Sequence, residues 1–259
     1  MAIQLNERDQ LIFKLIDEHE VLLEKHISWF IAGDDKPVLI RDRLRKLFYL
    51  DYLLCHRHGS KLPWWTTPTK PLVYVLSSMA RKANGFEENQ DDVMDNDFQR
   101  HHLEIANLRM LFLVAQKNGQ IKNFTWTTFK KDRQKDTGLN AKVTFEANGK
   151  TVTLGLVNHW TMVDGLNEKL TKSAVSEGLD HTLVIAREEA DKKGAQMAFV
   201  AQGCLSDKAL FSTHQDLYRE GILDSGWQTA RGEAFNLASQ TVVTEPAFIS
   251  NYTTPPIAV

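Results

Sequence analysis

The sequence predicts an α+β protein built from two parts, and three observations support that prediction. The 259 residues, 42% hydrophobic and 25% charged, suffice for one large domain or two modest ones with a buried core. Residues 1–82 combine helical apolar spacing with two strand-like segments. Residues 98–259 begin with the order helix, three strands, helix, strand, which is an α/β order.

The charge is distributed unevenly along the chain. The formal net charge is only −2. Residues 36–82, however, hold ten Lys or Arg against two acids, a net +8, whereas residues 83–98 hold six acids and no base. A basic block followed directly by an acidic, Asn-rich one is typical of a domain followed by a linker. The expected organisation is a domain, an acidic linker and a second domain, at residues 1–82, 83–97 and 98–259.

Three helices are predicted at the start of the chain. Asn6 is suited to cap the first, whose apolar residues recur at helical spacing: Leu11, Ile12, Leu15 and Ile16. The second is predicted at residues 21–31, with an inner face of Leu22, Leu23, His26, Ile27 and Phe30. A turn at residues 33–35 follows, and Pro37 suits the first position of the third helix.

The third helix has an apolar back and a cationic front. Ile40, Leu44 and Leu47 fall on one stripe, which we expect to be buried. Counting about 100° per residue, the charged residues lie on the other side: Asp42, Arg45 and Lys46 opposite the stripe, with Arg41 and Arg43 on its flanks.

A basic hairpin is predicted after the third helix. Residues 52–58 and 72–76 are typical of strands, and Gly59-Ser60-Lys61 of a turn. Three helices and a hairpin with a basic tip indicate a winged helix-turn-helix, in which the third helix enters the major groove and the hairpin, or wing, contacts phosphates. We expect Trp64 and Trp65 to pack in the core. His56 and His58 are expected on the exposed surface of the wing.

The second part begins with an amphipathic helix predicted at residues 98–116. Strands are predicted at residues 124–129, 139–147 and 151–157, the last two joined by the two-residue turn Asn148-Gly149. A helix through Val163, Leu166, Leu170 and Ala174 follows, and then a strand at residues 182–186. This order is similar to the core of restriction-endonuclease-like nucleases.

The chemistry of such nucleases provides a check on that similarity. They hold a divalent metal with an acid on the second core strand and acid-x-Lys on the third, because Mg²⁺ prefers carboxylate oxygens. Asn140 and Asn158 stand at those positions, and an amide carries no charge. We therefore expect this domain to be catalytically inactive and to hold neither a metal nor a cofactor.

Four segments resemble the plasmid replication-relaxation family of bacterial mobile elements. They are Arg43-x-Leu-x-Lys46-Leu47, Val73-Tyr74-Val75-Leu76, His102-Leu103-Glu104-Ile105-Ala106-Asn107, and Asn158-His159-Trp160-Thr161 with Lys169-Leu170 downstream. That family combines a winged helix, a helix bearing His-x4-Asn and a nuclease-like α/β domain, so the resemblance implies DNA binding. Its Glu-x-Asp pair is replaced by Leu156 and Asn158, and its Pro-Asp by Leu139-Asn140, which speaks against inherited catalysis.

These patterns predict a sequence-specific double-stranded DNA-binding protein of a mobile element, a transcriptional regulator or an accessory factor in replication or transfer. The residues expected to contact DNA are Arg41, Arg43, Arg45, Lys46, Arg57 and Lys61, extended by Lys130, Lys131 and Arg133. The last three belong to a basic cluster that fits a solvated loop equally well. We expect a homodimer, because one short helix reads few base pairs, and no membrane or small-molecule partner.

Two other functions stay open. A metal-dependent DNA nickase or endonuclease would need acids from separate elements, such as Glu104 and Glu146. A protein-interaction adaptor would use the winged helix to bind another protein. The adjacent His101 and His102 are poorly arranged for one metal ion, because neighbours on a helix point about 100° apart.

The cellular location is predicted from the start of the chain and its cysteines. The first ten residues are polar, unlike a signal peptide. Cys55 and Cys204 are far apart in sequence and form no disulfide framework. We therefore expect a cytoplasmic protein associated with the nucleoid or a plasmid.

Overall fold

The structure is a computed structural model that describes residues 5–34, 37–88, 92–160, 166–203, 208–224 and 226–242. Val163 and Cys204, which enter the predictions above, lie outside those residues, and Cys55 is a free thiol. The chain has mixed α+β structure, as predicted. Within the described ranges, no helix combines the length and apolar character needed to cross a membrane.

The first part of the chain contains four helices and a small sheet among the residues described. Its elements are α1 (Glu7–His19), β1 (Leu22–Leu23), α2 (Glu24–Ala32), α3 (Pro37–Tyr49), β2 (Leu53–Arg57), β3 (Leu72–Leu76) and α4 (Ser78–Asn84). The sheet has the strand order β1-β3-β2 and both pairings are antiparallel.

The predicted cap of α1 is confirmed. The Asn6 side chain accepts a hydrogen bond from the Asp9 backbone N–H at 3.1 Å, and the Asp9 carboxylate accepts one from the Asn6 N–H at 2.8 Å. This reciprocal capping box satisfies two amide groups that a helix N-terminus otherwise leaves without partners. Of the four apolar residues predicted on α1, Ile12, Leu15 and Ile16 are buried, whereas Leu11 is 42% exposed.

The predicted start of the second helix is wrong. Leu22 and Leu23 form β1 and pair with β3, and α2 begins only at Glu24. Backbone groups that bond to a neighbouring strand cannot also close helical turns. The apolar spacing of residues 21–27 fits both structures, so pairing with a strand about fifty residues later decides between them.

The apolar stripe of α3 is confirmed. Ile40, Leu44 and Leu47 are at most 2% exposed and pack in one cluster with residues of α1, α2 and both hairpin strands. Trp64 is buried, as predicted, in an adjoining cluster with β1 and β3, whereas Trp65, also predicted in the core, is only partly buried against that cluster. The face of α3 opposite this stripe therefore points away from the core.

The second part of the chain is built on a larger sheet. Its elements are α5 (Asn96–Lys117), β4 (Lys122–Thr128), α6 (Lys131–Thr137), β5 (Ala141–Ala147), β6 (Lys150–Asn158), α7 (Leu166–Ser176), β7 (His181–Ala186), α8 (Glu189–Gln202), β8 (Ala209–Thr213), α9 (His214–Glu220), β9 (Trp227–Thr229), β10 (Ala234–Asn236) and β11 (Thr241–Val242). The strands follow the order β11-β10-β9-β8-β7-β6-β5-β4. Only the pairs β6–β7 and β7–β8 are parallel among the strands described.

The predicted strands and helices of the second part are present with small shifts in their ends. Asn148 and Gly149 both have positive φ, 50° and 75°, as the tight turn between β5 and β6 requires. The short helix α6 lies between β4 and β5 and interrupts the predicted run of three strands.

Helix α5 belongs to both parts of the molecule. Leu103 packs with Val21 and Trp64 of the first part, whereas Leu108 and Phe112 pack in the core of the large sheet. The helix begins at Asn96, inside the segment predicted as a linker. Ion pairs Arg109–Glu18 and Lys130–Asp17, each 3.0 Å, join the two parts nearby.

Candidate functional site

The outer face of α3 carries exposed charges, as predicted. Arg45 and Lys46 are exposed, and the Arg45 guanidinium lies 3.8 Å from the Asp42 carboxylate in the preceding turn. Both side chains of this pair are more than half exposed, so water weakens their attraction. Arg45 and Lys46 therefore remain accessible to a partner.

The two flanking arginines of α3 differ from each other. Arg41 makes a forked ion pair with Glu24 of α2 at 2.9–3.2 Å, and about half of its side chain remains exposed. Arg43 instead points inward, and its guanidinium forms an ion pair with the fully buried carboxylate of Asp9 on α1. Arg43 therefore holds α3 against α1, and its predicted role in contacting DNA is not supported by its position.

The hairpin carries exposed cations close to α3. Arg57, Lys61 and Lys70 are exposed, and the Arg57 guanidinium donates to the Lys70 carbonyl oxygen at 2.7 Å. A cavity of about 390 Å³ lies between the hairpin loop and the helices α2 and α3, and Arg41, Arg57 and Lys70 are among its lining residues. Within the hairpin loop, the Trp65 indole N–H donates to the Thr69 carbonyl at 2.6 Å.

The prediction that His56 and His58 lie on the exposed wing surface is wrong for His58. It is fully buried, its Nδ1 lies 3.0 Å from the Gln99 Oε1 of α5, and His56 contacts the same amide. Burial lowers the pKa of His58. The Gly59 N–H donates to the Asn96 side chain at 2.9 Å, so the start of the hairpin loop is anchored to α5.

The second predicted basic cluster is largely engaged within the molecule. Lys130 pairs with Asp17 at 3.0 Å, and Arg133 pairs with Glu177 at 2.7 Å while its guanidinium stacks over Phe129. Lys131 is exposed at the start of α6. About half of the Lys130 and Arg133 side chains remains exposed.

A buried polar centre, which we define as Glu104, Arg187, Asn158 and His214, lies where the parallel strands end. Asn158 is the last residue of β6, Arg187 follows β7, and His214 follows β8. Parallel strands place their carboxyl ends at one edge of a sheet, so three residues distant in sequence meet there. Glu104 reaches this edge from α5.

The carboxylate of Glu104 is fully buried and accepts hydrogen bonds at both oxygens. Oε1 accepts from Arg100 at 2.9 Å and from Arg187 at 3.1 Å, and Oε2 accepts from the Asn158 amide at 3.1 Å. The His214 Nε2 lies 2.6 Å from Asn158 Oδ1, and its ring packs 6.0 Å from that of Trp64 in the hairpin loop. The polar centre therefore touches both parts of the chain.

The pKa shifts at this centre determine which of its groups are charged at neutral pH. Burial alone raises the pKa of Glu104, but the attraction of its carboxylate to the protonated form of His214 and to Arg187, together with the hydrogen bonds from Asn158 and Arg187, outweighs burial and lowers the pKa. Burial lowers the pKa of His214 to about 4 and that of His101 to about 4. At neutral pH, Glu104 is therefore ionised while both imidazoles are uncharged.

The two asparagines predicted in place of nuclease acids are neighbours in space. The Asn158 backbone N–H donates to Asn140 Oδ1 at 2.6 Å, and His101 lies beside both amides. Glu146 is far away, because it pairs with Thr151 at the other end of β6, seven residues from Asn158. At about 3.3 Å per residue, that separation exceeds about 20 Å, so the suggested pairing of Glu104 with Glu146 is wrong.

Sequence reasoning missed Arg187 and His214. Each is a polar residue directly after a buried strand, and that pattern is visible in the sequence. Its meaning depends on the parallel pairing of β6, β7 and β8, which the sequence does not display. No group of three or more His, Cys, Asp and Glu suited to a metal ion occurs among the residues that the structure describes.

Comparison of the chain with known protein families gives no match, and no curated protein matches it either.

Proposed function

We propose that this chain binds double-stranded DNA through the outer face of α3 and the hairpin formed by β2 and β3. The observation that carries the proposal is the position of the cations. Arg45 and Lys46 face solvent on α3, whose opposite stripe is fixed in the core, and Arg57 and Lys61 extend from the hairpin beside it. Phosphate contacts from such residues dominate the affinity of proteins for DNA.

The arrangement of the first part supports this proposal. Its element order, helix, strand, helix, helix, strand, strand, with strand order β1-β3-β2, is the one expected of a winged helix-turn-helix. In that class the third helix lies in the major groove and the wing contacts the backbone. A role on a mobile element, in transcription, replication or transfer, is part of the proposal and follows from the resemblance to the replication-relaxation family. Assembly as a homodimer is also part of it, because one short helix reads few base pairs.

The nickase alternative gains no support from the polar centre. Both oxygens of Glu104 accept from guanidinium or amide groups, and the adjacent positions hold the uncharged Asn140 and Asn158. A divalent cation requires carboxylate oxygens that are free to coordinate it.

The DNA proposal is tested with Arg45→Ala/Lys46→Ala. We expect weaker binding of a duplex and a shallower dependence of log affinity on log salt. The slope should decrease by about one unit for each phosphate that the variant no longer neutralises. Fluorescence anisotropy with labelled random duplex DNA between low and physiological salt measures both quantities.

A matched control is Lys172→Ala/Lys193→Ala, which removes two exposed lysines from α7 and α8. The control should bind duplex DNA like the unaltered chain. If the α3 variant also keeps its affinity and salt slope, α3 does not contact DNA and the proposal is overturned.

A further inference from the structure

A second candidate binding site lies beside the polar centre. A cavity of about 330 Å³ opens at the carboxyl end of β6 and is lined by Asn140, Asn158 and His159. Ligands of open α/β sheets bind in crevices outside the carboxyl ends of parallel strands. The volume is within the range of small-molecule pockets.

The charge around this cavity is positive. Lys135 and Lys169 line it, and the Lys169 ammonium donates to the Lys135 carbonyl oxygen at 2.8 Å, which places it at the end of α6. No carboxylate is among the lining residues that the structure describes. The buried Glu104 nearby is neutralised by two guanidinium groups. Within the described lining, an anionic ligand therefore meets two cations and no carboxylate.

Two polar groups in the cavity have unused hydrogen-bonding capacity. Asn140 accepts from the Asn158 N–H through Oδ1, but its Nδ2 has only a long contact of 3.4 Å to His101 among the residues described. The Nδ1 of His159 is buried and has no hydrogen-bond partner within the described part of the chain. Buried polar atoms of this kind are usually satisfied, but Nδ1 of His159 is closed off from solvent, so only the Asn140 amide is suited to a ligand.

The backbone of His159 is a third, independent observation. Its φ is 57°, a left-handed conformation that is uncommon for residues other than glycine, and its N–H donates to the Ile185 carbonyl of β7 at 2.8 Å. Strained positions of this kind concentrate at binding sites. Trp160 follows directly and lines the same cavity with a partly exposed side chain, which provides an aromatic surface for a base.

We infer that this cavity binds the phosphate ester of a nucleotide, either free or within a nucleic-acid strand. Lys135 and Lys169 hold the phosphate, while Asn140 Nδ2 bonds to the sugar or base. The inference concerns the second part of the chain and stands independently of the DNA interface proposed on α3.

Calorimetric titration of the full chain with dAMP, and separately with deoxyadenosine, tests the inference. We expect dAMP to bind and the unphosphorylated nucleoside to bind far more weakly. Lys135→Gln/Lys169→Gln should weaken dAMP binding about 10- to 100-fold, because hydrogen bonds to charged groups are worth about 1.5–3 kcal/mol. The control Lys172→Gln/Lys193→Gln, with one change on the same helix as Lys169, should bind dAMP normally.

A second variant, Asn140→Asp, places a carboxylate in the cavity and should abolish dAMP binding by repulsion. Its thermal unfolding curve shows whether the fold persists, and the lysine variant decides the question if it does not. Absence of dAMP binding to the unaltered chain, or equal dAMP affinity in the unaltered chain and the Lys135→Gln/Lys169→Gln variant, overturns the inference.

Duplex DNA distinguishes the two sources of the phosphate. If Lys135→Gln/Lys169→Gln also weakens duplex binding, the cavity receives a phosphate of bound DNA. If duplex affinity is unchanged while dAMP binding is weakened, the cavity receives a free nucleotide. Arg45→Ala/Lys46→Ala should leave dAMP binding unaffected in both cases, so failure of the α3 proposal is recognised separately.

Discussion

The outer face of α3 and the polar centre both contain charged residues, but they use them in opposite ways. On α3, Arg45 and Lys46 extend into water, and the Asp42 carboxylate beside Arg45 is itself exposed. At the polar centre, Arg187 and Glu104 form an ion pair, and their side chains are only 17% and 0% exposed. Burial therefore decides whether a charge is available to a partner or is used to hold the fold.

Removal of Glu104 is expected to give the largest effect. In Glu104→Ala, the mostly buried guanidinium of Arg187 keeps its charge without its carboxylate partner, which costs about 3–5 kcal/mol of unfolding free energy. Urea denaturation measures the decrease. The exposed Glu168, paired with Lys172 on α7, is the matched control, and its replacement by Ala should leave stability unchanged.

Equal stability of the Glu104→Ala and Glu168→Ala variants would show that the buried ion pair contributes no more to stability than the exposed one.

Acid should weaken the polar centre. The pKa of His214 is lowered by burial from 6.5 to about 4, so between these values the unfolded chain binds a proton that the folded chain does not. Stability is therefore fully present above pH 6.5 and falls as the pH approaches 4, by about 3 kcal/mol for this group. The lowered pKa of Glu104 acts in the same direction at the acidic end, since protonation of Glu104 removes its attraction to Arg187.

Unfolding free energies at pH 7, 5.5 and 4.5 measure this dependence. His214→Gln should show a smaller decline over the same range because the amide does not titrate. Lys46→Gln, on the outer face of α3, is the control, and its decline in stability should match that of the unaltered chain. A decline in His214→Gln as steep as in the unaltered chain would assign the acid sensitivity to other groups.

The smallest expected effect is the difference in stability between two arginine variants of α3. Arg43→Ala leaves the buried Asp9 carboxylate without its guanidinium partner and should lower the unfolding free energy by about 2 kcal/mol. Arg45→Ala removes only an exposed interaction with Asp42 and should cost well under about 1 kcal/mol. Thermal or urea unfolding of both variants measures the difference, and a reversal of their order would show that Arg43 is not a structural residue.

Local patterns predict the first part of the molecule well. The Asn6 cap and the stripe of Ile40, Leu44 and Leu47 depend on residues within a few positions of each other, and both are confirmed. The predicted start of α2 is wrong because β1 pairs with a strand about fifty residues away. The burial of His58 likewise depends on Gln99, forty-one residues later in the chain.

The polar centre is only partly predictable for the same physical reason. Asn158 and Asn140 are recognised through a strand order, and the structure places them side by side. Arg187 and His214 join them only because β6, β7 and β8 run parallel. Alternation and spacing within one segment contain no information on which segments will share an edge.

The shared helix α5 has a practical consequence for dividing this chain. An amino-terminal fragment that ends in the acidic segment, between α4 and α5, would lack Leu103, which packs with Val21 and Trp64, and Gln99, the partner of His58. A fragment ending there would present a fresh apolar surface to solvent and should aggregate or resist expression. Limited proteolysis of the intact chain should therefore yield no stable piece that ends before α5, and a durable amino-terminal fragment must retain that helix.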